Sequence, residues 1–399
     1  MVIIWYGLAP LTGALFKRYK WHKFRTRFDE LRLSPILDYC QYSQQEHNDQ
    51  NPGSNLYRFV GGFESITDGQ TLWIRSEDLT VPVSLQNAET YLLPMQKGDG
   101  IPEIFDPGDE APEKIRWERV SALTEGAKVY VGGLLVQHEG QRNFISTKEN
   151  PLLVIFYDGP DNSLATRTIR AGRRRGEYWN SVTPYSLLIG ALCQILMAVL
   201  FLSRPAFRMT VIVALIALFV PLYPLIPPGL LFTVIYRRLA WRSRILRAYR
   251  DLARLPLRYL APSQGNGLIN IRNSASQTDL PDNCILPNGE KYGYVRCTEL
   301  PPQAQNIPLL LPEFSRIAGK RSNTWYIFGA LHSEEDNASQ MPIQPQDSFA
   351  TFGILPGRPE SIARRCEIAA YLLELLAWII LLAGIGLNIF FLRMVLVLL

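Results

Sequence analysis

Histidine and cysteine are scarce in this chain, and neither is arranged for chemistry. The only histidines in 399 residues are His22, His47, His138 and His332. His22 sits in a basic run and His47 in a polar stretch. His138 and His332 each precede acidic residues, which reads as exposed hairpin tips rather than paired metal sites. The five cysteines, Cys40, Cys193, Cys284, Cys297 and Cys366, are scattered with no CxxC spacing. That argues against a disulfide framework and against structural zinc. GxSxG, HExxH and a glycine-rich phosphate loop are missing as well. Gly319-Lys320-Arg321-Ser322 ends like a phosphate loop, but Phe314 stands where its first glycine belongs. No catalytic, cofactor-binding or metal-binding residue is therefore assigned.

Charge is missing from long stretches, and those stretches organise everything else. Pro184 to Leu202 is uncharged for 19 residues, close to the roughly 20 that a helix needs to cross hydrocarbon. Met209 to Tyr236 is uncharged again, and only Ser203–Arg208 separates the two runs. Further apolar blocks occupy 1–16 and 368–399. Four proline residues, Pro221, Pro224, Pro227 and Pro228, predict a helix break and an interfacial corner in the second central run, since each lacks a backbone donor.

The net charge of +5 does not point to nucleic acid, because the basic residues flank the apolar blocks. Segments 17–27, 167–175 and 237–258 carry six, five and eight basic residues, against two in the link between the central spans. This bias predicts that the regions after 16 and before 184, and between 236 and 368, face the cytoplasm, with both termini outside. Lys17, Arg18, Arg173, Arg174, Arg175, Arg237 and Arg238 are the expected membrane-interface residues, set against anionic lipid headgroups. Glu374 and Arg393 interrupt the last apolar block and are candidate intramembrane polar residues.

Between the spans the texture changes to short alternating runs bounded by turns, as in 56–63, 127–137, 151–158 and 323–331, which predicts strands and hairpins. The expected order is a transmembrane anchor (1–16), a basic and polar connector (17–55), a first β-rich domain (56–167) and an arginine-rich segment (168–183). Transmembrane segments at 184–203 and 207–228, an amphipathic basic helix (229–260), a second β-rich domain (261–365) and a last transmembrane segment (368–399) follow. The fold class is thus a four-span helical membrane protein with two α+β cytoplasmic domains. The halves repeat the same order. Val129–Leu135 aligns with Trp325–Leu331 at an offset of 196, and Ser163-Leu164-Ala165 aligns with Ser361-Ile362-Ala363 after a two-residue shift. A tandem duplication is expected.

The first unit resembles the GIDE family, whose extramembrane part is the beside-a-membrane (BAM) domain. The resemblance rests on the anchor and basic flank at 1–27, FVGGF at 59–63, LTVPVSL at 79–85, VSALTEGAKVYVGGLLV at 120–136, FIS at 144–146 and PLLVIFYDGPDNSLATR at 151–167. It covers about half the chain well. It implies a bacterial inner-membrane protein with a BAM-type binding module, partnered by a LemA-like membrane protein or a membrane protease. The family's ubiquitin ligases carry a RING after the second span. Cys284, Cys297, Cys366 and His332 do not supply one, so ligase activity is not carried over. The function expected is a non-enzymatic scaffold or adaptor, without cofactor. A transporter or channel component built on the proline-broken span, Glu374 and Arg393 is the alternative, with a ligase-like enzyme less favoured. Oligomeric state is left open.

Overall fold

The computed structural model describes residues 2–39, 42, 56–68, 70–76, 79–93, 113–115, 127–138, 141–170, 180–225, 227, 229–260, 283–286, 288–310, 324–331 and 341–398. It is mixed helix and sheet, divided into two compact units. A helical unit comprises Met1–His22, Gly172–Ala248 and Arg365–Leu399, and a sheet unit comprises Lys23–Ala171 and Tyr249–Arg364. The β-rich stretches expected as separate domains, 56–167 and 261–365, therefore fall in a single compact unit.

The sheet unit is built on strands β1 (Leu56–Thr67), β2 (Thr71–Ser76), β3 (Leu79–Ser84), β6 (Lys128–His138) and β7 (Gln141–Ile145). These close into a ring in the order β1-β2-β3-β7-β6-β1. Every pairing in the ring is antiparallel except β3 with β7. That strand order, with its single parallel closure, is the topology of an OB-type Greek-key barrel. The alternation read from the sequence sets which side chains fill it. Tyr57 and Phe59, Leu72 and Ile74, Val81 and Val83, and Val129 and Val131 all enter one buried core with Phe144. Each such side chain contributes roughly 1.5–3 kcal/mol by leaving water. A Cβ on Gly61 would stand 2.5 Å from the Arg75 carbonyl oxygen, so glycine is what allows β1 to lie this close to β2. Outside the ring, β8 (Leu153–Tyr157) pairs with β6 and, in parallel, with β4 (Glu89–Leu92); β5 (Glu113–Lys114) adds to β4. All five β8 residues are buried, which fits its unbroken apolar run.

The outer face of this sheet is covered by the end of helix α1 (Ala9–Leu31). Phe24 packs on Tyr91 with ring centroids 4.4 Å apart, and Phe28 packs on Tyr130 at 5.4 Å. A Cβ on Gly132 would be 2.9 Å from that of Leu31, so the helix rests directly on β6.

A second sheet has the order β12-β11-β10-β9, formed by β9 (Asn283–Ile285), β10 (Lys291–Cys297), β11 (Trp325–Ala330) and β12 (Gly353–Pro356), all antiparallel. Ile327 and Ile354 on one face pack with Ala304 of a 3₁₀ turn at Pro302–Asn306. One pairing has the same spacing in both sheets. Val129 lies opposite Phe156 and Ile327 opposite Ile354, 198 positions later on both strands. Gly159 and Gly357 both have positive φ, 85° and 105°. They precede helices α2 (Asp161–Arg170) and α7 (Pro359–Leu398) at the same spacing. In both, a serine hydroxyl donates to the carbonyl three residues back, Ser163 to Pro160 at 2.7 Å and Ser361 to Arg358 at 2.8 Å. These features share a spacing of 198, against the 196 expected for the strands.

In the helical unit, α3 (Thr183–Leu202) and the Pro359–Phe391 part of α7 are long and apolar enough to cross a membrane. Only 22% and 17% of their most apolar windows is buried, the reverse of a core helix in a soluble protein. The apolar N-terminus starts as a π-helix (Ile3–Leu8) and runs straight into α1, so the anchor and its basic flank are one helical rod. The run expected to span at 207–228 is shorter than a span as an α-helix. Helix α4 covers Arg208–Leu218, 11 residues or about 16 Å, and passes into a 3₁₀ turn at Val220–Leu225. The prolines account for this, with Pro221 cutting the α-helical ladder. Beyond them, the basic stretch is two helices rather than one: α5 (Gly229–Ala253) and α6 (Leu255–Leu260). Residues with no side chain or little of one set the helix contacts. Gly190 of α3 lies against Trp5 and Tyr6, and a Cβ on Gly384 of α7 would stand 2.6 Å from that of Phe232 on α5. Tyr236 and Trp378 continue that second contact at 5.8 Å.

Candidate functional site: a buried arginine–tyrosine cluster

The densest polar chemistry lies inside the sheet unit, between the outer face of the first sheet and residues contributed after Tyr249. Strand alternation points Arg58 of β1 and Tyr130 of β6 away from the barrel core. Both are nevertheless sealed, Arg58 at 1% exposure and Tyr130 at 0%. The last turn of α1 adds Asp29, and Arg32 follows it at 0% exposure. From the second half come Arg258 and Tyr259, at and near the end of α6, and Asp347, Phe349 and Thr351 of the loop before β12.

Arg58 is the pivot. Its Nε donates to the Ser34 carbonyl at 2.7 Å, and Nη2 forms a hydrogen-bonded ion pair with Asp347, itself 2% exposed. Asp347 Oδ1 accepts the Phe349 N–H at 3.0 Å. The Arg58 guanidinium lies 5.1 Å over the Phe349 ring, which packs on Tyr130 at 5.3 Å. Such a stack adds cation–π attraction in a dry site. Burial opposes the charge on Arg58, but the Asp347 carboxylate outweighs it and holds the guanidinium above its ordinary pKa. Arg58 stays charged.

Arg32 has a different environment. Its guanidinium lies 4.9 Å over the Tyr259 ring. Asp29 Oδ1 is 3.8 Å from Nη2, outside hydrogen-bond reach, while Oδ2 is ion-paired with Arg258. All three guanidinium nitrogens of Arg32 are buried with no acceptor among the described residues. Arg58 Nη1, Arg258 Nε and the Tyr130 hydroxyl share that condition. Burial pushes Tyr130 well above the ordinary phenol pKa and Tyr259 up to about 12. Arg32 and Arg58 act on both rings in the opposite sense, so these groups share one electrostatic neighbourhood. Tyr259 donates to the Phe349 carbonyl at 2.6 Å, and Tyr292 donates to the Thr351 carbonyl at 2.7 Å. With three arginines and two aspartates, the cluster carries one excess positive charge.

Comparison with family models, curated proteins and solved structures finds no match. The geometry therefore stands on its own.

The residues singled out from the sequence lie elsewhere. In the helical unit, Glu374 of α7 is ion-paired with Arg247 of α5 and lies 3.7 Å from Arg18 of α1. Ser243 Oγ donates to the Ala370 carbonyl one turn away, at 2.9 Å. Glu374 is thus a neutralised junction of three helices. Lys17 is half-buried on α1, and Arg18, Arg237 and Arg238 are exposed. Arg393 belongs to α7, but its side chain, like all of Arg173, Arg174 and Arg175, lies outside the described residues. His138 ends β6, and His332 is outside as well. Among the described residues no group of three His, Cys, Asp or Glu side chains is placed to hold a metal.

Sequence reasoning missed Arg32, Arg58, Asp347 and Tyr259. A signal was present in LYRFV, where an arginine alternates with aromatic residues. That pattern reads as a solvated outer face unless the cover is known.

Proposed function

We propose that the chain is a non-enzymatic membrane scaffold that presents its sheet unit to a partner membrane protein. Its apolar segments cross the cytoplasmic membrane as four spans, the α4 run lengthened by its 3₁₀ turn, the sheet unit faces the cytoplasm, and both termini lie outside. The observation that carries this reading is the Arg58–Asp347 pair, which joins residues 289 positions apart within one compact unit. The two β-rich stretches then offer one preassembled, composite surface rather than two separately tethered modules. Closed β-barrels of this topology are a recurrent binding platform, and the outward apolar faces of α3 and α7 suit a membrane anchor.

The matching register, positive-φ glycines, helix starts and serine caps support an internal duplication, the second copy having shed the strands that would close a barrel. The resemblance to the GIDE family adds the expectation of a LemA-like protein or a membrane protease as partner. The ion pairs at Glu374 favour a helix-locking role there over a transport site.

The test is a photo-cross-linking residue at exposed Glu64 or Arg75 on the outer barrel wall, introduced in the native host. A single membrane-protein adduct, lost when Asp347→Lys opens the unit, supports the scaffold. Adducts only between copies of this chain overturn it.

A further inference from the structure

We propose that the buried arginine cluster of the sheet unit is a binding site for a phosphate-type oxyanion. Fully desolvated guanidinium groups without acceptors are rarely retained, because burial strips their hydration and returns nothing. Here donors without an acceptor lie in one electrostatic neighbourhood: three nitrogens on Arg32, Nη1 of Arg58, the buried Nε of the partly exposed Arg258 and the Tyr130 hydroxyl. The excess of one positive charge selects an anion. The guanidinium forks select oxygens in a fixed plane, which phosphate accepts in bidentate fashion. Six donors on four side chains also exceed what the two oxygens of a single carboxylate present to such a spread, whereas a tetrahedral oxyanion offers acceptors in several directions. Asp347 is committed to Arg58 and Asp29 Oδ2 to Arg258, while Asp29 Oδ1, itself without a hydrogen bond, stands 3.8 Å from Arg32 Nη2 and does not saturate it.

The donors come from both halves. Arg32, Arg58 and Tyr130 precede residue 172, and Arg258 follows residue 248. The oxyanion therefore pins the halves of the sheet unit together, and occupancy stabilises the unit as a whole. Its source is either free phosphate or the headgroup phosphate of a phospholipid.

The experiment uses full-length protein purified in phosphate-free detergent. Equilibrium dialysis with radiolabelled inorganic phosphate is run beside phosphorus analysis of the chain after exhaustive delipidation, with thermal unfolding as the stability readout. One phosphate per chain, and a rise in Tm of about 5 °C at a hundredfold excess over Kd, establishes a free-phosphate site. No uptake of inorganic phosphate, but one phospholipid retained per chain, establishes the headgroup source. In either case Arg32→Gln abolishes the signal and the interfacial variant Arg237→Gln/Arg238→Gln leaves it intact. Tyr130→Phe removes a hydroxyl without a charge and weakens binding about fivefold, which keeps the test valid should Arg32→Gln fail to fold. Neither phosphate nor phospholipid bound to the wild type, or binding that Tyr130→Phe and Arg32→Gln leave unchanged, overturns the site.

Discussion

Replacing Asp347 by Asn removes one charge from the centre of the sheet unit while keeping an oxygen for the Phe349 N–H. Arg58 is then left at 1% exposure with the Ser34 carbonyl as its remaining hydrogen-bond acceptor. Breaking a buried pair by removing one partner costs about 3–5 kcal/mol, since the surviving charge has lost both water and counterion. For a domain of this size each kcal/mol is worth about 2–4 °C, so Tm should fall by about 10 °C. The double variant Arg58→Met/Asp347→Asn should recover most of the loss, because no charge is left buried and the asparagine still accepts the Phe349 N–H. What it does not recover is the Ser34 carbonyl, orphaned at about 1–2 kcal/mol. The cycle should therefore show coupling of about 2 kcal/mol or more. Differential scanning of the detergent-solubilised protein reads the stability. Hydrogen exchange in β10 and β11 locates it, with faster exchange expected in Asp347→Asn. A drop under about 2 °C for Asp347→Asn, less than the 1 kcal/mol at which exposed pairs stop, with no coupling to Arg58, would refute the buried pair as the lock between the halves.

Three further outcomes follow from the same packing. The phenol of Tyr259 ionises only at about 12 in the fold, against 10.0 in the unfolded chain. The unfolded state therefore releases its proton first as pH rises, and the fold binds more protons than the unfolded chain between those values. Stability from this group is intact below pH 10 and should fall by roughly 3 kcal/mol by pH 12, which alkaline unfolding compared with Tyr259→Phe would show. Phe144→Ala should cost about 3–5 kcal/mol, because its ring is fully buried on the strand that closes the barrel in parallel with β3; urea unfolding measures it. Gly384→Leu should part α5 from α7, since even a Cβ would stand 2.6 Å from that of Phe232. A disulfide engineered between Tyr236→Cys and Trp378→Cys should then form in lower yield in membranes than in the Gly384 parent.

What could be read from the sequence followed from one-dimensional periodicity. Charge-free runs located α3 and α7, Pro221 the end of α4, alternation β1 and β6, and an unbroken apolar run β8. Ser163-Leu164-Ala165 and Ser361-Ile362-Ala363 show a spacing of 198 in the sequence alone. For the strands, side-chain similarity between Val129–Leu135 and Trp325–Leu331 gives 196, because it tolerates a two-residue slip that preserves the face. The pairings of Ile327 with Ile354 and of Val129 with Phe156 stand 198 apart instead. The length of α5 was overestimated for a similar reason, the arginine spacing continuing across the break at Arg254.

The arginine cluster was beyond reach for a physical reason. A strand pattern says which residues share a face, not what covers it. Arg58 and Tyr130 lie on the outer face of the first sheet as alternation requires, and that face would be solvated in a free barrel. It is dry because the α1 end and the Tyr259–Phe349 region cover it, and the residue that neutralises Arg58 lies 289 positions away. Covering such a face with apolar residues alone would have left Arg58 without a counterion, so the cover had to bring a carboxylate, and Asp347 is that carboxylate. Arg58 and Asp347 thus constrain each other: neither is tolerable without the other. A sheet unit whose halves separated would expose Arg58 to water but would strand Phe24, Phe28 and Leu31 only if α1 left as well. Separation at the Asp347 side alone would leave those three side chains covered, and the Arg58–Asp347 pair is what opposes it.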